Sequence, residues 1–241
     1  MTQPGLTTFP GVSNVIDLSF PVRDHFRWAI ETDLVHDLAA GDVFQTTRMR
    51  TVCHAFTHAD APLHVTADGQ DIASVPLGTW VGAAAVLDLT HVGEETAITA
   101  QTLEAAGAHL QRGDIALLRT DWDARMDVET RAFWERSPYL TRDAAGWLAD
   151  REVRCVGYDF PQDHPIRGVV DGSPPATAAE FVTHDVLLRH GVGMVEYLAG
   201  LRQLEATRTF FVAVPLRLVA VDGSPVRAFA LEFESTAATG A

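Results

Sequence analysis

The sequence predicts an α/β fold over residues 12–241, and two observations support this. Short apolar stretches typical of buried strands, such as Ile115–Leu118 and Val153–Val156, alternate with segments of helical apolar spacing, such as Thr99–Leu110. A chain of 241 residues is long enough for one sizeable domain. Residues 1–11 are polar with Pro and Gly, so we expect a flexible N-terminal arm before this domain.

The individual elements follow from the same patterns. Strands are predicted at Val43–Val52, Val86–Leu89, Ile115–Leu118, Val153–Val156, Val192–Leu198, Phe210–Val214, Leu216–Val221 and Val226–Phe233. Helices are predicted at Thr99–Leu110 with Thr99 as its cap, at Val128–Glu135, at Thr141–Asp150 and at Ala176–His190, with Gly191 at the last C-cap. The segment Phe160–Pro175 is rich in Pro, Gly and Asp and reads as a long loop, often a lid.

Composition excludes several classes of function. Eighteen Arg against thirty-two Asp plus Glu give a net charge of −14, which argues against nucleic acids and anionic membranes as partners. The sequence has no Lys for Schiff-base chemistry and no Gly-x-Ser-x-Gly elbow. Two Cys in apolar patterns fit a reducing compartment. With neither a signal-peptide pattern nor an apolar run near eighteen residues, we expect a cytoplasmic protein.

The most informative segment runs from His54 to His64 and contains His58 and Asp60 as well. Neutral imidazole and ionised carboxylate are ligands that zinc and similar divalent metals share. In a straight strand His54 and His58 would lie about 13 Å apart, too far for one ion, whereas a turn brings them together. Pro62 then favours an extended segment that returns Asp60 to the site. His64, beyond the proline, suits an acid or base better than a fourth ligand.

A second pair is predicted farther along the chain. His184 lies in the predicted helix Ala176–His190 and Glu196 in the following strand. A tight turn between the two elements could bring both side chains to one point.

These residues carry a resemblance to the cyclase family, which includes bacterial kynurenine formamidase (arylformamidase) and isatin hydrolase. The pattern His-x-Gly-Thr-His-x-Asp-x-Pro-x-His is matched from His54 to His64, with Phe56 in place of Gly. Further similarity is found at Val15–Ser19, at Gly113–Trp122 with Asp121 in place of a second Gly, and at Val156–Asp159. The resemblance implies a swivelling β/β/α domain, with a small β-barrel-like core and helices around it.

The resemblance also implies a metal centre of one or two divalent ions. His54, His58 and Asp60 would hold one ion, and Asp60 would bridge to a second held by His184 and Glu196. Zinc is the first expectation; manganese is the alternative, because some members bind a single manganese. The implied reaction is hydrolysis of an amide, formamide or lactam C–N bond by metal-activated water, with His64 as acid and base.

Two other functions remain open from the sequence. A cyclase, lactone hydrolase or lyase could use the same site, with His64 abstracting a carbon-bound proton. A non-catalytic metal-binding or ligand-sensing domain could also contain these residues.

The expected partner is a small molecule, and aromatic residues near the family landmarks favour an aromatic one. These residues are Phe20, Phe26, Trp28, Phe56, Trp80, Trp122 and Phe160. Phe56 is expected to narrow the space near the metal. The resemblance further implies a homodimer or higher homo-oligomer whose N-terminal segments approach the partner's site.

Overall fold

The computed structural model describes residues 11–171 and 176–233. Residues 1–10, nearly all of the predicted arm, lie outside the described residues, as do residues 172–175 within the predicted loop.

The strands and helices of the described part of the chain are as follows. The strands are β1 (Val12–Asp17), β2 (Glu31–His36), β3 (Thr46–Arg50), β4 (His58–Asp60), β5 (Val81–Asp88), β6 (Ala97–Ile98), β7 (Ile115–Arg119), β8 (Tyr139–Leu140), β9 (Cys155–Tyr158), β10 (Gly193–Glu196), β11 (Arg208–Val212), β12 (Gly223–Pro225) and β13 (Phe229–Phe233). The α-helices are α1 (Ala100–Ala106), α2 (Trp122–Arg125), α3 (Ala132–Glu135), α4 (Arg142–Asp150), α5 (Ile166–Asp171) and α6 (Val182–Leu187).

Nine of these strands form one mixed sheet in the order β1-β13-β11-β5-β7-β9-β10-β4-β12. The central strands β5, β7, β9 and β10 are parallel, and the strands on both flanks pair antiparallel. The sheet curls into a half-barrel, with helices α1 and α4 packed together beside it. The predicted α/β fold with a barrel-like core is therefore confirmed, with the barrel half-formed.

The central strands are buried on both faces, which explains their continuous apolar runs. Val86 and Leu117 point into one apolar cluster, which includes Phe211. Their chain neighbours Leu87 and Leu118 point into the other cluster, which contains the helices. Alternate residues of one strand thus contribute to two different cores.

Two of the four predicted helices agree closely with the structure. Thr99 caps α1 through a capping box with Thr102, although the helix ends at Ala106 instead of Leu110, because Gly107 serves as its C-cap. Helix α4 follows Thr141 as predicted.

The other two predicted helices are shorter than expected. Only α3 forms within Val128–Glu135, because Asp127 ties the Glu129 amide and the Thr130 hydroxyl into a turn. The helix predicted at Ala176–His190 is divided into 3-10 turns and α6, and Gly191 ends it in the left-handed conformation, as predicted.

Two predictions for irregular segments were wrong. Leu216–Val221 does not form a strand; its backbone turns through Ala220, at φ 59°, whose amide donates to Asp71. The segment Phe160–Pro175 is not wholly a loop, because α5 forms within its described part.

Strands β2 and β3 form an antiparallel hairpin separate from the main sheet. All residues of both strands are exposed. The strand predicted at Val43–Val52 therefore exists as β3, but it does not contribute to the core. None of the helices in the described residues has the length and apolar character that a membrane span requires.

Candidate metal centre

The short strand β4 positions two of the predicted ligands. His58 and Asp60 are two residues apart in an extended strand, so their side chains share one face. Glu196 on β10 is the direct pairing partner of His58, and Gly223 on β12 pairs with Asp60. A Cβ at Gly223 would lie 2.6 Å from the His54 ring, so glycine allows β12 to pack against that imidazole.

The turn before β4 passes through Phe56, which adopts the left-handed conformation at φ 53°. This geometry costs roughly 1–2 kcal/mol for a residue with a β-carbon. It also brings the Phe56 carbonyl 2.7 Å from His58 Nδ1, which donates to it, so that Nε2 faces the cluster of acids. The Phe56 side chain is buried against Trp28, 4.7 Å between ring centroids, and does not line the cavity. The expectation that it narrows the site was wrong.

The other four residues predicted as ligands converge around Asp60. One carboxylate oxygen, Oδ1, lies 2.7 Å from His54 Nδ1 and 3.2 Å from His58 Nε2. The other oxygen, Oδ2, lies 3.7 Å from His184 Nε2, which is itself 3.2 Å from Glu196 Oε1. Asp60 is fully buried, and its Oδ2 has no hydrogen-bond partner among the described residues.

The donor set fits a divalent cation. Donor atoms of His54, His58 and Asp60 lie within 4.8 Å of one another, and so do those of Asp60, His184 and Glu196. Imidazole nitrogens and carboxylate oxygens are the ligands that zinc accepts. A buried carboxylate oxygen without a partner is costly, and a cation would satisfy it.

His184 and Glu196 are supported by residues that the sequence analysis did not identify. Asp163 Oδ2 accepts a hydrogen bond from His184 Nδ1 at 2.6 Å, an arrangement typical of metal-binding histidines. The Gln162 amide donates to Glu196 Oε1. Both residues follow β9 in the predicted loop. His164, which follows Asp163 in the same loop, is exposed and packs on Tyr139.

His64 lies beside the predicted ligands and not among them. Its ring stacks on His54, with 4.0 Å between centroids, and its Nδ1 is 3.1 Å from Asp222 Oδ2. The same oxygen of Asp222 is 2.8 Å from His54 Nε2. Asp222 is the main site residue that the sequence analysis missed, and it joins a candidate ligand to the candidate acid–base.

The electrostatics differ between the two imidazoles. Burial lowers the pKa of His54, but the Asp60 and Asp222 carboxylates outweigh it and raise that pKa to about 9. His64 keeps a pKa below its ordinary value, chiefly because of burial. His64 is therefore neutral near pH 7, while His54 must lose a proton before it can bind a cation.

A cavity of about 390 Å³ opens onto the cluster. Its wall includes Val65, Ile166, Phe181 and Tyr197. None of the seven aromatic residues near the family landmarks lines it, although Phe26 and Trp28 line an adjoining pocket. Three of the others, Trp80, Trp122 and Phe160, are fully buried.

Comparisons with known proteins identify relatives of this chain among hydrolases. A kynurenine formamidase of Bacillus cereus is 28% identical over 222 residues, which cover 90% of this chain and 96% of that protein. A solved structure described as a potential metal-dependent hydrolase with cyclase activity is 27% identical, with a TM-score of 0.70 over 92% of this chain and 98% of that chain. Isatin hydrolase A from Labrenzia aggregata shares the fold at 23% identity, with a TM-score of 0.74 over 92% and 94% of the two chains.

A family model described as putative cyclase matches residues 16–163, more than half of the sequence. The resemblance inferred from the sequence is thereby confirmed, and the chain belongs to the cyclase family.

Proposed function

We propose that this protein is a metal-dependent hydrolase that cleaves an amide, formamide or lactam C–N bond, in the manner of an arylformamidase. The observation that carries the proposal is the convergence of three imidazoles and two carboxylates at the wall of a cavity, around a buried Asp60 oxygen without a hydrogen-bond partner in the described chain. Kynurenine formamidase relatives that align over nine-tenths of the chain support the reaction class.

The proposed ligands are His54, His58 and Asp60 for one ion, and Asp60, His184 and Glu196 for a second. Zinc is our first choice because the set combines nitrogen and carboxylate donors, and manganese is the alternative. When bound, a divalent ion supplies Lewis acidity that polarises the substrate carbonyl and lowers the pKa of water.

His64 is the proposed general base and acid. The pKa of its imidazole is lowered by burial, so at neutral pH it is ready to accept a proton from the attacking water. Asp222 accepts a hydrogen bond from Nδ1, which leaves Nε2 as the ring nitrogen available to the cavity. His64 then returns the proton to the leaving nitrogen, so that water and amide become acid and amine.

The proposed substrate is a small molecule of the size of N-formylkynurenine or isatin, with an aromatic group beside Phe181 and Tyr197. We further propose that residues 12–241 act as one catalytic domain. The free thiols of Cys53 and Cys155 support a reducing, cytoplasmic location.

We also propose that the protein is a homodimer. The β2–β3 hairpin exposes Leu34, Phe44 and Met49, with Phe44 at 74% exposure. An isolated two-stranded hairpin is marginally stable in water, and exposed apolar surface of this kind is typical of a contact with another protein chain. A second copy of this chain can supply the same surface by two-fold symmetry.

Turnover assays paired with metal analysis of the purified protein test the reaction. We expect hydrolysis of N-formylkynurenine or isatin, with one oxygen from ¹⁸O-labelled water in the product. Turnover without incorporation would favour a lyase or cyclase. Bound metal with no turnover of amides, lactams or lactones would contradict catalysis.

Two substitutions separate the proposed roles. His64→Ala should keep its metal and lose about 10²–10⁴-fold in kcat, the usual contribution of a general acid–base. Asp60→Ala should lose metal and activity together, as judged by elemental analysis. His164→Ala, at an exposed histidine that does not line the cavity, is the matched control. Near-normal turnover in His64→Ala would exclude His64 from the mechanism.

A further inference from the structure

Arg27 is a cation at the wall of the catalytic cavity that the mechanism above does not use. Its side chain lines the cavity together with His54, His64 and Glu196. Its guanidinium carbon lies 5.6 Å from the centroid of Trp28 and 5.5 Å from that of Trp134, so two buried indoles hold it in place.

Two donor atoms of this guanidinium have no acceptor in the part of the chain that the structure describes. Arg27 Nε and Nη1 are buried and have no hydrogen-bond partner among the described residues. Arg23, four residues earlier, donates instead to Glu129 at 2.7 Å. Buried donors that lack an acceptor cost free energy, more so when they are charged. An acceptor that enters the cavity would remove that cost.

The adjoining pocket favours a negative acceptor. Arg27 and His54 line it as well as the main cavity, so the two spaces meet at these side chains. The rest of its wall contains a second guanidinium, from Arg131, and the apolar residues Phe26, Trp28, Val52 and Val170. No carboxylate lines this pocket in the described part of the chain. The two guanidinium groups in this pocket wall contrast with the net charge of −14 of the whole sequence.

We propose that Arg27 binds a carboxylate of the substrate, so that the preferred substrate is an amide or lactam with a carboxylate group away from the bond that is cleaved. The planar fork of a guanidinium matches the two oxygens of a carboxylate. The inference rests on the proposed function for the cleaved bond, but the anion-binding part has its own test. Arg27 is a specificity-determining residue and takes no part in proton transfer.

Binding of two matched probes tests the anion site without turnover. 4-Phenylbutyrate and 4-phenylbutan-1-ol share the phenyl group and the alkyl chain and differ in the head group, a carboxylate in one and a neutral alcohol without a hydrolysable bond in the other. Titration calorimetry, with tryptophan fluorescence as a second signal from Trp28 and Trp134, measures both affinities for the purified protein with its metal. Arg27→Met retains an apolar stem, Arg27→Lys retains the charge without the fork, and Arg23→Met is the control.

We expect the unsubstituted protein to prefer the carboxylate. Arg27→Met should lose about 10- to 100-fold in affinity for 4-phenylbutyrate and leave the affinity for 4-phenylbutan-1-ol within about 2-fold, as expected for hydrogen bonds to a charged group. Arg27→Lys should recover part of the loss, and Arg23→Met should change neither affinity. Equal weakening of both probes in Arg27→Met would mean that Arg27 only packs against the indoles. A preference for the carboxylate that survives in Arg27→Met would assign it to another group. Either result overturns the proposal.

Steady-state kinetics test the role of Arg27 separately from the proposed hydrolase function. With N-formylkynurenine and its methyl ester as substrates, Arg27→Met should raise KM for the acid and leave kcat and the ester's KM unchanged. Absence of turnover in the unsubstituted protein would contradict the hydrolase proposal and leave the binding result standing. Normal turnover with the same KM for acid and ester in every variant would contradict the role of Arg27 alone.

Discussion

Asp222 connects two imidazoles that have different proposed roles. Its Oδ2 accepts from His54 Nε2 at 2.8 Å and from His64 Nδ1 at 3.1 Å. One carboxylate oxygen therefore fixes the ring orientation of a proposed ligand and of the proposed base. Residues that orient metal ligands in this way commonly contribute 10–100-fold, roughly, to activity or metal affinity.

We expect Asp222→Asn to lower kcat by about 10- to 100-fold at saturating metal. The reason is that the amide offers His64 a weaker, uncharged acceptor. If Asp222 acts through His64, the double variant His64→Ala/Asp222→Asn should have the kcat of His64→Ala. A kcat in the double variant that falls by the product of the two single effects would contradict this coupling.

His54 gives the metal-free protein a pH-dependent stability. Burial lowers the pKa of this imidazole, but Asp60 and Asp222 raise it to about 9, against about 6.5 in an unfolded chain. The contribution to stability is complete below about pH 6.5 and is lost as the pH rises through about 9, because the folded state holds the proton more tightly.

Urea unfolding of chelator-treated protein checks this sign. The free energy of unfolding of the unsubstituted protein should exceed that of His54→Gln by more at pH 6 than at pH 9.5. His91→Gln, at an exposed imidazole, controls for loss of a histidine. The interpretation fails if the difference between the unsubstituted protein and His54→Gln is the same at both pH values.

The spacing of residues in the sequence predicted the metal ligands. It did not predict partner residues that lie far away along the chain. His54, His58 and Asp60 belong to one turn and one strand, so their spacing alone favours a common site. Asp222 lies 158 residues from His64, and only the pairing of β12 with β4 brings it there. The proposed role of Arg27 was not predicted for the same reason, because its neighbours in the sequence do not show that its donor atoms lack a partner.

Among the secondary-structure elements, short apolar runs predicted β7 closely and located parts of β5 and β9, because these strands are buried on two faces. The same pattern failed for Leu216–Val221, where apolar residues lie in a turn that is tied to Asp71. Burial cannot be read from composition alone, and the same limit applies to the strand predicted at Val43–Val52, whose observed part, β3, is exposed along its whole length.

The β2–β3 hairpin is the proposed dimer interface, which a substitution can test. If β2 and β3 pack against a second copy of the chain, Phe44→Asp should convert a dimer into a monomer, because it would bury a charge in an apolar interface. Size-exclusion chromatography with light scattering measures the mass. Val219→Asp, at a residue 78% exposed outside the hairpin, is the control and should remain dimeric. A dimer that persists in Phe44→Asp would assign the interface to another surface, and a monomeric unsubstituted protein would contradict the dimer.

At the scale of the whole molecule, the curled sheet explains how distant segments form one site. Strand β10 lies between β9 and β4, so the loop after β9, the end of β10 and the His54–His64 segment meet at one edge of the half-barrel. The sequence predicted the α/β class from its alternating elements, whereas the β-barrel-like core was implied by the family resemblance. Local patterns do not specify strand order, because it depends on long-range pairing.

These segments are proposed to meet around a divalent cation that hydrolysis requires. Removal of metal with a chelator, followed by titration with zinc or manganese, tests it most directly when activity and bound metal per chain are measured together. We predict that the metal-free protein remains folded by circular dichroism and is inactive, and that activity returns in proportion to bound metal up to one or two ions per chain. Full activity in a protein shown by elemental analysis to contain no metal would contradict the requirement for a divalent cation.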